Sequence, residues 1–378
     1  MRKTARMKKT ARATLLVVMV SGLFVCGSCQ GSTVSSVSTG LSTVPSISTT
    51  SARNGAVVVT LSSTTSGAKL YYTLDGSVPV QNSPQTLTYE GPFLVASNLT
   101  VQAVAIAPGL VASATVSQSF QPNIPSGTLV WSDEFTGSSS VDQPNPQTWT
   151  YDTGNSGFGN QELENYCAWN SSAAPCDPAN PNAYTDAGGI LHIVARPPAA
   201  KVYTSARLKS QGLFSFQYGR IEARLKLPES QGMWPAFWLL GSNIATVNWP
   251  ACGELDVMEH INGSNPANEG YDWVQGSIHG SNNLNGGTQY HPTSFSAAAW
   301  HTYGMIWSKG EIQFYVDSPS NIYATFTAAT QTGTWPFDSG PEFILLNLAV
   351  GGSWPGSPDA TTVFPSEMQV DYVRLYTN

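Results

Sequence analysis

The chain has 378 residues, of which 11% are charged and 11% aromatic, with 11 tryptophans; that length has room for two folded units and an extension. Its formal charge is −7, yet six of the 17 basic residues fall in the first 12 positions and no acidic residue precedes Asp75, so residues 31–378 carry −13. So acidic a body repels phosphate instead of releasing counterions from it, which argues against a nucleic-acid partner.

Residues 1–30 read as an export signal: a basic start, an apolar run from Ala13 to Val25, then Cys26-Gly27-Ser28-Cys29. The apolar run is too short to span a bilayer comfortably. Two processing routes stay open. A signal peptidase cuts near Ser28 or Gly31, or Cys29 (alternatively Cys26) accepts a bacterial lipoprotein anchor. Either route predicts a secreted or cell-surface protein, lipid-anchored to the membrane in the second case. Residues 31–53, rich in Ser, Thr and small side chains, read as a linker with too little apolar surface to fold.

Between 54 and 121 the pattern turns strand-like, with β-prone runs at 56–61, 69–73, 94–95 and 100–107 and a tight-turn signal at Asp75-Gly76. The strings Leu70-Tyr71-Tyr72-Thr73-Leu74-Asp75-Gly76-Ser77-Val78-Pro79 and Tyr89-Glu90-Gly91-Pro92-Phe93 resemble the Ig-like domain found at the C-terminus of chitobiases and attached to many secreted bacterial glycosidases. The resemblance implies a small β-sandwich, read here as a spacer; a sugar-binding role through Tyr71 or Tyr72 is the alternative. Residues 122–127 form a second linker.

Residues 128–378 make one large unit. Strands are readable at 191–195, 206–208, 219–227, 236–240, 253–259, 302–307, 312–316, 343–350 and 368–376. No βαβ alternation appears, so the chain is all-β and not doubly wound. A phosphate loop, a Gly-x-Ser-x-Gly elbow and a His-x-x-x-His pair are all missing from the sequence, which removes several enzyme classes. Cys167 and Cys176 are close enough in sequence to close a disulfide loop outside the cytoplasm. Cys252 is then left over and reads as a small buried hydrophobe.

Within this unit, Glu254-Leu255-Asp256-Val257-Met258-Glu259 places three carboxylates in six residues, separated by apolar side chains. On a strand of period two, Glu254 and Asp256 share a face and Glu259 points the other way. A β-bulge, with Met258 (or Val257 and Met258 together) as the extra residue, brings Glu259 back. Two carboxyl groups on one wall, about 5–5.5 Å apart, cleave a glycosidic bond with retention of configuration. A third orients the nucleophile and helps keep the acid protonated. The competing readings are a solvated acidic edge and a divalent-metal site. The apolar spacing and the absence of a Gly-rich ligand loop make the metal the weaker of these.

The string Trp249-Pro250-Ala251-Cys252-Gly253-Glu254-Leu255-Asp256-Val257-Met258-Glu259 resembles the signature of glycoside hydrolase family 16 in its laminarinase branch. Tyr203–Ser210, Tyr218–Arg224, Gly232–Trp238, Phe314–Asp317, Leu346–Gly352 and Val370–Arg374 follow the family's order. The resemblance implies a concave β-jelly-roll and endo-hydrolysis of β-1,3-glucan, with mixed-linkage 1,3-1,4 glucan as a further substrate. It assigns Glu254 as nucleophile, Glu259 as acid/base and Asp256 as assisting carboxylate. It makes Trp249 a sugar platform and places Trp234, Trp238, Asn160, Glu222, Arg224, His279 and Asn347 against the substrate, with Phe158 where the family often has tryptophan. Trp234 and Trp238, four apart, share a strand face; one reading puts one in the cleft and buries the other. The family also implies a structural calcium ion on the convex side, at the carbonyls of Glu134 and Gly189 and the side chain of Asp371. No cofactor is implied for catalysis, and the chain is expected to be a monomer. Two alternatives remain: a hydrolase of the same family for agar, carrageenan or galactan, and a non-catalytic β-glucan-binding protein, which the three retained acids count against.

Overall fold

Alternation decides which sheet face each side chain joins. In the strand Gly219–Lys226, Ile221, Ala223 and Leu225 are fully buried in the core while Lys226 is exposed. The strand Glu342–Val350 is buried at every position and pairs with a neighbour along each edge. A computed structural model describes residues 40–199, 202–261 and 272–378. Residues 1–30, read above as an export signal, and the first part of the segment read as a linker lie outside them.

Two sheets build the large unit. A seven-stranded sheet runs in the order Asn285–Tyr290, Val274–His279, Glu254–Glu259, Met233–Gly241, Glu342–Val350, Arg207–Lys209, Thr150–Asp152. A ten-stranded sheet backs it, with Gly219–Lys226 between His301–Ser308 and Ser366–Tyr376. Phe237, Leu255, Ile278 and Leu346 from the first sheet pack with Ile193, Ile221, Met305 and Val373 from the second in one core. Face-to-face packing of two sheets, antiparallel but for the pair Glu164–Tyr166 and Val202–Ser205, is the jelly-roll arrangement the sequence implied.

The bulge in Glu254–Glu259 is present. Against Met233–Gly241, Phe237 pairs with Met258 and Trp238 with Asp256, so Val257 is the unpaired residue. Against Val274–His279, Asp256 pairs with Ser277 and Glu259 with Gln275, which leaves Val257 and Met258 facing Gly276 together. Met258 alone is therefore not the insertion. Both extra side chains go inward, where Val257 is 2% exposed and Met258 0%, and the core thereby fixes the register.

The N-terminal unit is a small sandwich. One sheet joins Ser46–Ser51, Val57–Ser62 and Phe93–Val95; the other joins Leu87–Thr88, Lys69–Thr73, Leu99–Ile106 and Val116–Phe120. Ser46–Ser51 corrects the sequence reading of 31–53 as an unfolded linker: it pairs residue for residue with Val57–Ser62. Only Ile47 of that strand packs on the sandwich core, so no apolar alternation announced it. Tyr72 is 3% exposed and stacks on Phe93 at 4.8 Å, and Tyr71 is 9% exposed with its hydroxyl accepting from Gln81 at 3.0 Å. Both rings are committed to packing and present no face to a sugar.

This sandwich is docked on the jelly-roll, not strung ahead of it as a spacer. The Leu94 amide donates to the Ser215 carbonyl at 2.8 Å, the Ser215 hydroxyl to the Pro92 carbonyl at 3.1 Å, and the Arg53 amide to the Val130 carbonyl at 3.0 Å. Gly91, at φ +155°, comes so close that a Cβ there would lie 2.7 Å from the Cα of Gly212. The backbones meet where only glycine allows it.

Candidate active site

The bulged strand, its neighbours in the seven-stranded sheet and the loops at their ends line an open cleft of ≈ 640 Å³. Glu254, Asp256 and Glu259 all line it, together with Trp234, Trp238, Trp249, His279, Asn160 and Asn347. The sequence is written so that the strand keeps two commitments. Leu255, Val257 and Met258 are buried in the core, and the three acids take the opposite face.

Each acid has its own partner. The Trp249 indole donates to Glu254 at 2.9 Å, and the Trp234 indole donates to Glu259 at 3.0 Å. His279 Nε2 lies 3.0 Å from Asp256 and 3.9 Å from Glu254. Trp249 stands 57% exposed, an open aromatic face beside Glu254. Trp234 and Trp238 both face the cleft, so neither is the buried member of a pair. The Trp238 indole donates to Asn347 Oδ1 at 2.7 Å, and Asn347 in turn donates to the Tyr166 hydroxyl at 3.3 Å.

Burial pushes the Glu254 carboxyl up to about 8, with the charge of Asp256 adding to it, while His279, the Trp249 N–H and Arg207 pull it down. Burial raises Asp256 to about 8 as well. Glu259 is held well above the ordinary carboxylate range by burial, then by Asp256 and Glu254, and is relieved only by the Trp234 N–H and His279. Such a cluster releases its protons as one coupled set. Glu254 has more neighbours favouring its charged form than Glu259 has, and a difference in that direction is what a nucleophile and a general acid require.

Two predicted site residues are not there. Glu222 and Arg224 do share a strand face, but Gly219–Lys226 belongs to the ten-stranded sheet, and that face looks away from the core and the cleft. Glu222 accepts from the Tyr315 hydroxyl at 2.6 Å and pairs with Arg220. Arg224 pairs with Asp371 at 2.7 Å and lies over the Trp300 ring at 4.9 Å. They are structural pairs on the back of the molecule.

Other cleft residues were not read from the sequence. Arg207 lies over the rings of Trp238 at 4.6 Å and Phe158 at 5.1 Å, and pairs with Asp152 at 3.0 Å. Glu162 accepts from Asn160 at 3.1 Å and from the Tyr166 hydroxyl at 2.8 Å. Trp354 meets Trp234 edge to face at 5.4 Å. Gln275 and Asn285 complete the wall. Trp354 follows the Leu346–Gly352 motif by two residues, the one signal that would have found it.

Cys167 and Cys176 are joined in a disulfide. Cys252 is a buried free cysteine whose thiol burial pushes up to about 12, the opposite of what a nucleophile needs. Among the described residues, Glu254, Asp256 and His279 have donor atoms within 4.8 Å of one another, but these are the groups already bonded within the acid cluster. On the back sheet, a Cβ at Gly189 would lie 3.3 Å from the Glu134 carbonyl oxygen, which brings those two predicted ligands together. The third, Asp371, has one carboxylate oxygen held by Arg224, and the Glu134 carboxylate is held by Arg374 at 2.8 Å. Carbonyl oxygens suit a hard cation in kind, while the Asp371 carboxylate is engaged by Arg224.

The profile described as glycosyl hydrolases family 16 matches residues 170–374. The chain belongs to this family. A second profile, the chitobiase/beta-hexosaminidase C-terminal domain, matches residues 49–117. A beta-glucanase of Rhodothermus marinus is 39% identical over 272 residues, covering 67% of this chain and 86% of the relative. The Endo-1,3-1,4-beta-glycanase EglC of Rhizobium meliloti is 34% identical, and the chain spans about half of its length (52%). Among solved structures, the laminarinase catalytic domain from Thermotoga maritima MSB8 superposes with a TM-score of 0.56 at 36% identity, covering 67% of this chain and 99% of that one. The family 16 chain described here is thus a glycoside hydrolase of the laminarinase kind, with a chitobiase-type sandwich in front.

Proposed function

We propose that this hydrolase cleaves β-1,3-glucan internally, and mixed-linkage β-1,3-1,4-glucan as well, by double displacement with retention at the anomeric carbon. The observation that carries this reading is the convergence of Glu254, Asp256 and Glu259 on one tryptophan-walled cleft. Glu254 attacks the anomeric carbon while Glu259 gives its proton to the leaving glycosidic oxygen. A glucosyl–Glu254 ester and a shortened chain result. Glu259, now a carboxylate, takes a proton from water, which attacks the same carbon and releases Glu254. Asp256, braced by His279, orients the nucleophile and adds to the field that keeps Glu259 protonated. The names of the beta-glucanase, glycanase and laminarinase relatives support the choice of glucan.

Glu254→Gln abolishes laminarin hydrolysis and leaves glucan binding measurable; an unchanged rate removes the nucleophile assignment. Early products followed by proton NMR carry the β anomer, and an initial α anomer overturns retention. A product profile on laminarin, lichenan, agarose and carrageenan side by side separates glucan from the other polysaccharides.

The reading extends to a calcium ion at the Glu134 and Gly189 carbonyls and Asp371, which would stabilise the back sheet and take no part in the reaction. It also includes export of the chain, on the strength of residues 1–30, with or without a lipid on Cys29, and action as a monomer. Mass spectrometry of the mature N-terminus and size-exclusion chromatography test the last two.

A further inference from the structure

One acid of the cleft wall has no part in the reaction as drawn. Glu162, Glu164 and Tyr166 alternate along the chain and are all buried, while Leu163 between them is exposed. Two neighbouring carboxyl groups are costly to bury unless each has partners. Glu164 accepts from the Val350 amide at 2.6 Å. Burial, then the charge of Glu162 and a hydrogen bond to it, push Glu164 up to about 8, so Glu164 is the member that holds a proton at neutral pH. Glu162 lines the cleft and accepts on both oxygens, from Asn160 Nδ2 on one and from the Tyr166 hydroxyl on the other.

These bonds have a direction. A carboxylate only accepts and an indole N–H only donates, whereas an amide or a hydroxyl can face either way. Between two such ends runs one chain: Trp238 Nε1 to Asn347 Oδ1, Asn347 Nδ2 to the Tyr166 oxygen, and the Tyr166 hydroxyl to Glu162. With a donor at one end and an acceptor at the other, the amide and the hydroxyl between them each have a single orientation. Asn160 is fixed in the same way. It turns its Nδ2 to Glu162 and therefore its Oδ1 away from it.

Asn160, Trp238 and Asn347 all line the cleft. Trp238 stands on the strand beside the acids and Asn347 one strand further. Adjacent strands lie about 4.8 Å apart, which puts Asn347 roughly 10 Å from the acid strand, beyond the bond being broken. From this geometry we infer that Glu162 is a positioning residue: it sets which atoms, donor or acceptor, Asn160 and Asn347 turn to the sugar units next to the one attacked. It thereby governs affinity for the substrate chain and not the chemical step. That these units are sugars of a glucan rests on the β-glucan reading.

Glu162→Gln tests this, because it exchanges one acceptor for a donor at nearly constant size and shape. The new N–H confronts either the Asn160 amide or the Tyr166 hydroxyl, and that group must turn. KM on laminarin is expected to rise about tenfold with kcat within about twofold. A residue that only held the fold would lower the melting temperature and leave KM where it was. Adding Asn160→Asp restores the match, since the introduced amide then donates to the introduced carboxylate and still accepts from Tyr166. KM in this double variant is expected to return to within about threefold of the parent. An unchanged KM in the single variant, or a KM that the double variant leaves as high, overturns the inference. If Glu162→Gln does not fold, Tyr166→Phe cuts the same chain and keeps the ring: KM is expected to rise about threefold, and an unchanged KM overturns the inference. Failure of the β-glucan reading itself looks different. The unsubstituted enzyme then leaves laminarin intact, and the same KM comparison is made on whichever of lichenan, agarose and carrageenan it cleaves.

Discussion

Two strands of this molecule gather charged residues on one face, and they do opposite things with them. Gly219–Lys226 in the back sheet pairs its half-buried charges with counter-charges: Glu222 has Arg220 and Arg224 has Asp371. Glu254–Glu259 in the cleft sheet gathers three acids, and only neutral indole N–H groups and one histidine touch them. Balanced charge holds a surface together. Unbalanced, buried charge of one sign raises carboxyl groups toward the pH at which proton transfer is useful. Alternation reveals that a face is polar; the partners across it reveal whether it is structural or chemical.

The largest expected effect comes from exchanging an acid on each strand. Glu259→Gln lowers kcat on laminarin by about 10²–10⁴-fold, as loss of a general acid does. Glu222→Gln leaves kcat within about twofold but destabilises the fold by roughly 3 kcal/mol, because Arg220 loses its partner in a half-buried site. Steady-state kinetics and chemical denaturation on both variants check the pair, and equal losses of activity would erase the contrast. Next comes Asp256→Asn. Its charge is among the causes that raise Glu259, so its removal lets Glu259 lose its proton sooner, and the alkaline limb of the kcat/KM profile moves to lower pH. A limb that stays in place would show that Asp256 does not act on the acid.

Smaller is Trp238→Phe, which keeps the ring and deletes the N–H given to Asn347. KM is expected to rise roughly threefold to tenfold with little change in kcat. The smallest effect belongs to the back sheet. Burial pulls the His192 imidazole down, but hydrogen bonds to Glu367 and Asp186 outweigh it and leave the group raised. A raised histidine adds stability that is complete below its unfolded value, near 6.5, and fades as pH climbs through the folded value. The melting difference between the parent and His192→Gln, about 1 °C by scanning fluorimetry, is therefore present at pH 6 and shrinks by pH 9.

The sequence exposes what alternation and local spacing encode. Central strands such as 343–350 are apolar runs, broken there only by the cleft residue Asn347. The three acids, with Trp249 just before them, are close enough in the chain for parity and a bulge to unite them. Edges are quieter. Asn285–Tyr290 reads Asn-Gly-Gly-Thr-Gln-Tyr, and Ser46–Ser51 is almost wholly exposed, so neither carries an apolar stripe to announce it. Arg207 and Glu162 escaped notice for another reason. They reach the cleft through tertiary pairing, Arg207 opposite Asn347 on a neighbouring strand, and no local pattern marks such a meeting. Glu222 and Arg224 show the converse error: the face was right and the sheet was wrong, because parity is silent about which sheet a strand joins.

The two-for-one register at Val257 has an evolutionary corollary. Remove the codon for Val257 and the segment reads Glu-Leu-Asp-Met-Glu, which alternates without interruption. All three acids then stay on one face of a regular strand, and Leu255 and Met258 still point inward. The bulge is therefore one of two neighbouring solutions, a single in-frame deletion apart, and a lineage can cross between them without exposing its core. Because Asp256 and Glu259 already face residues two apart on both neighbouring strands, the span between the acids is kept on crossing; what changes is the local bend and twist that the extra residue puts into the strand. The angle at which the last acid meets the sugar is thus a quantity that length mutations, more than substitutions, can adjust.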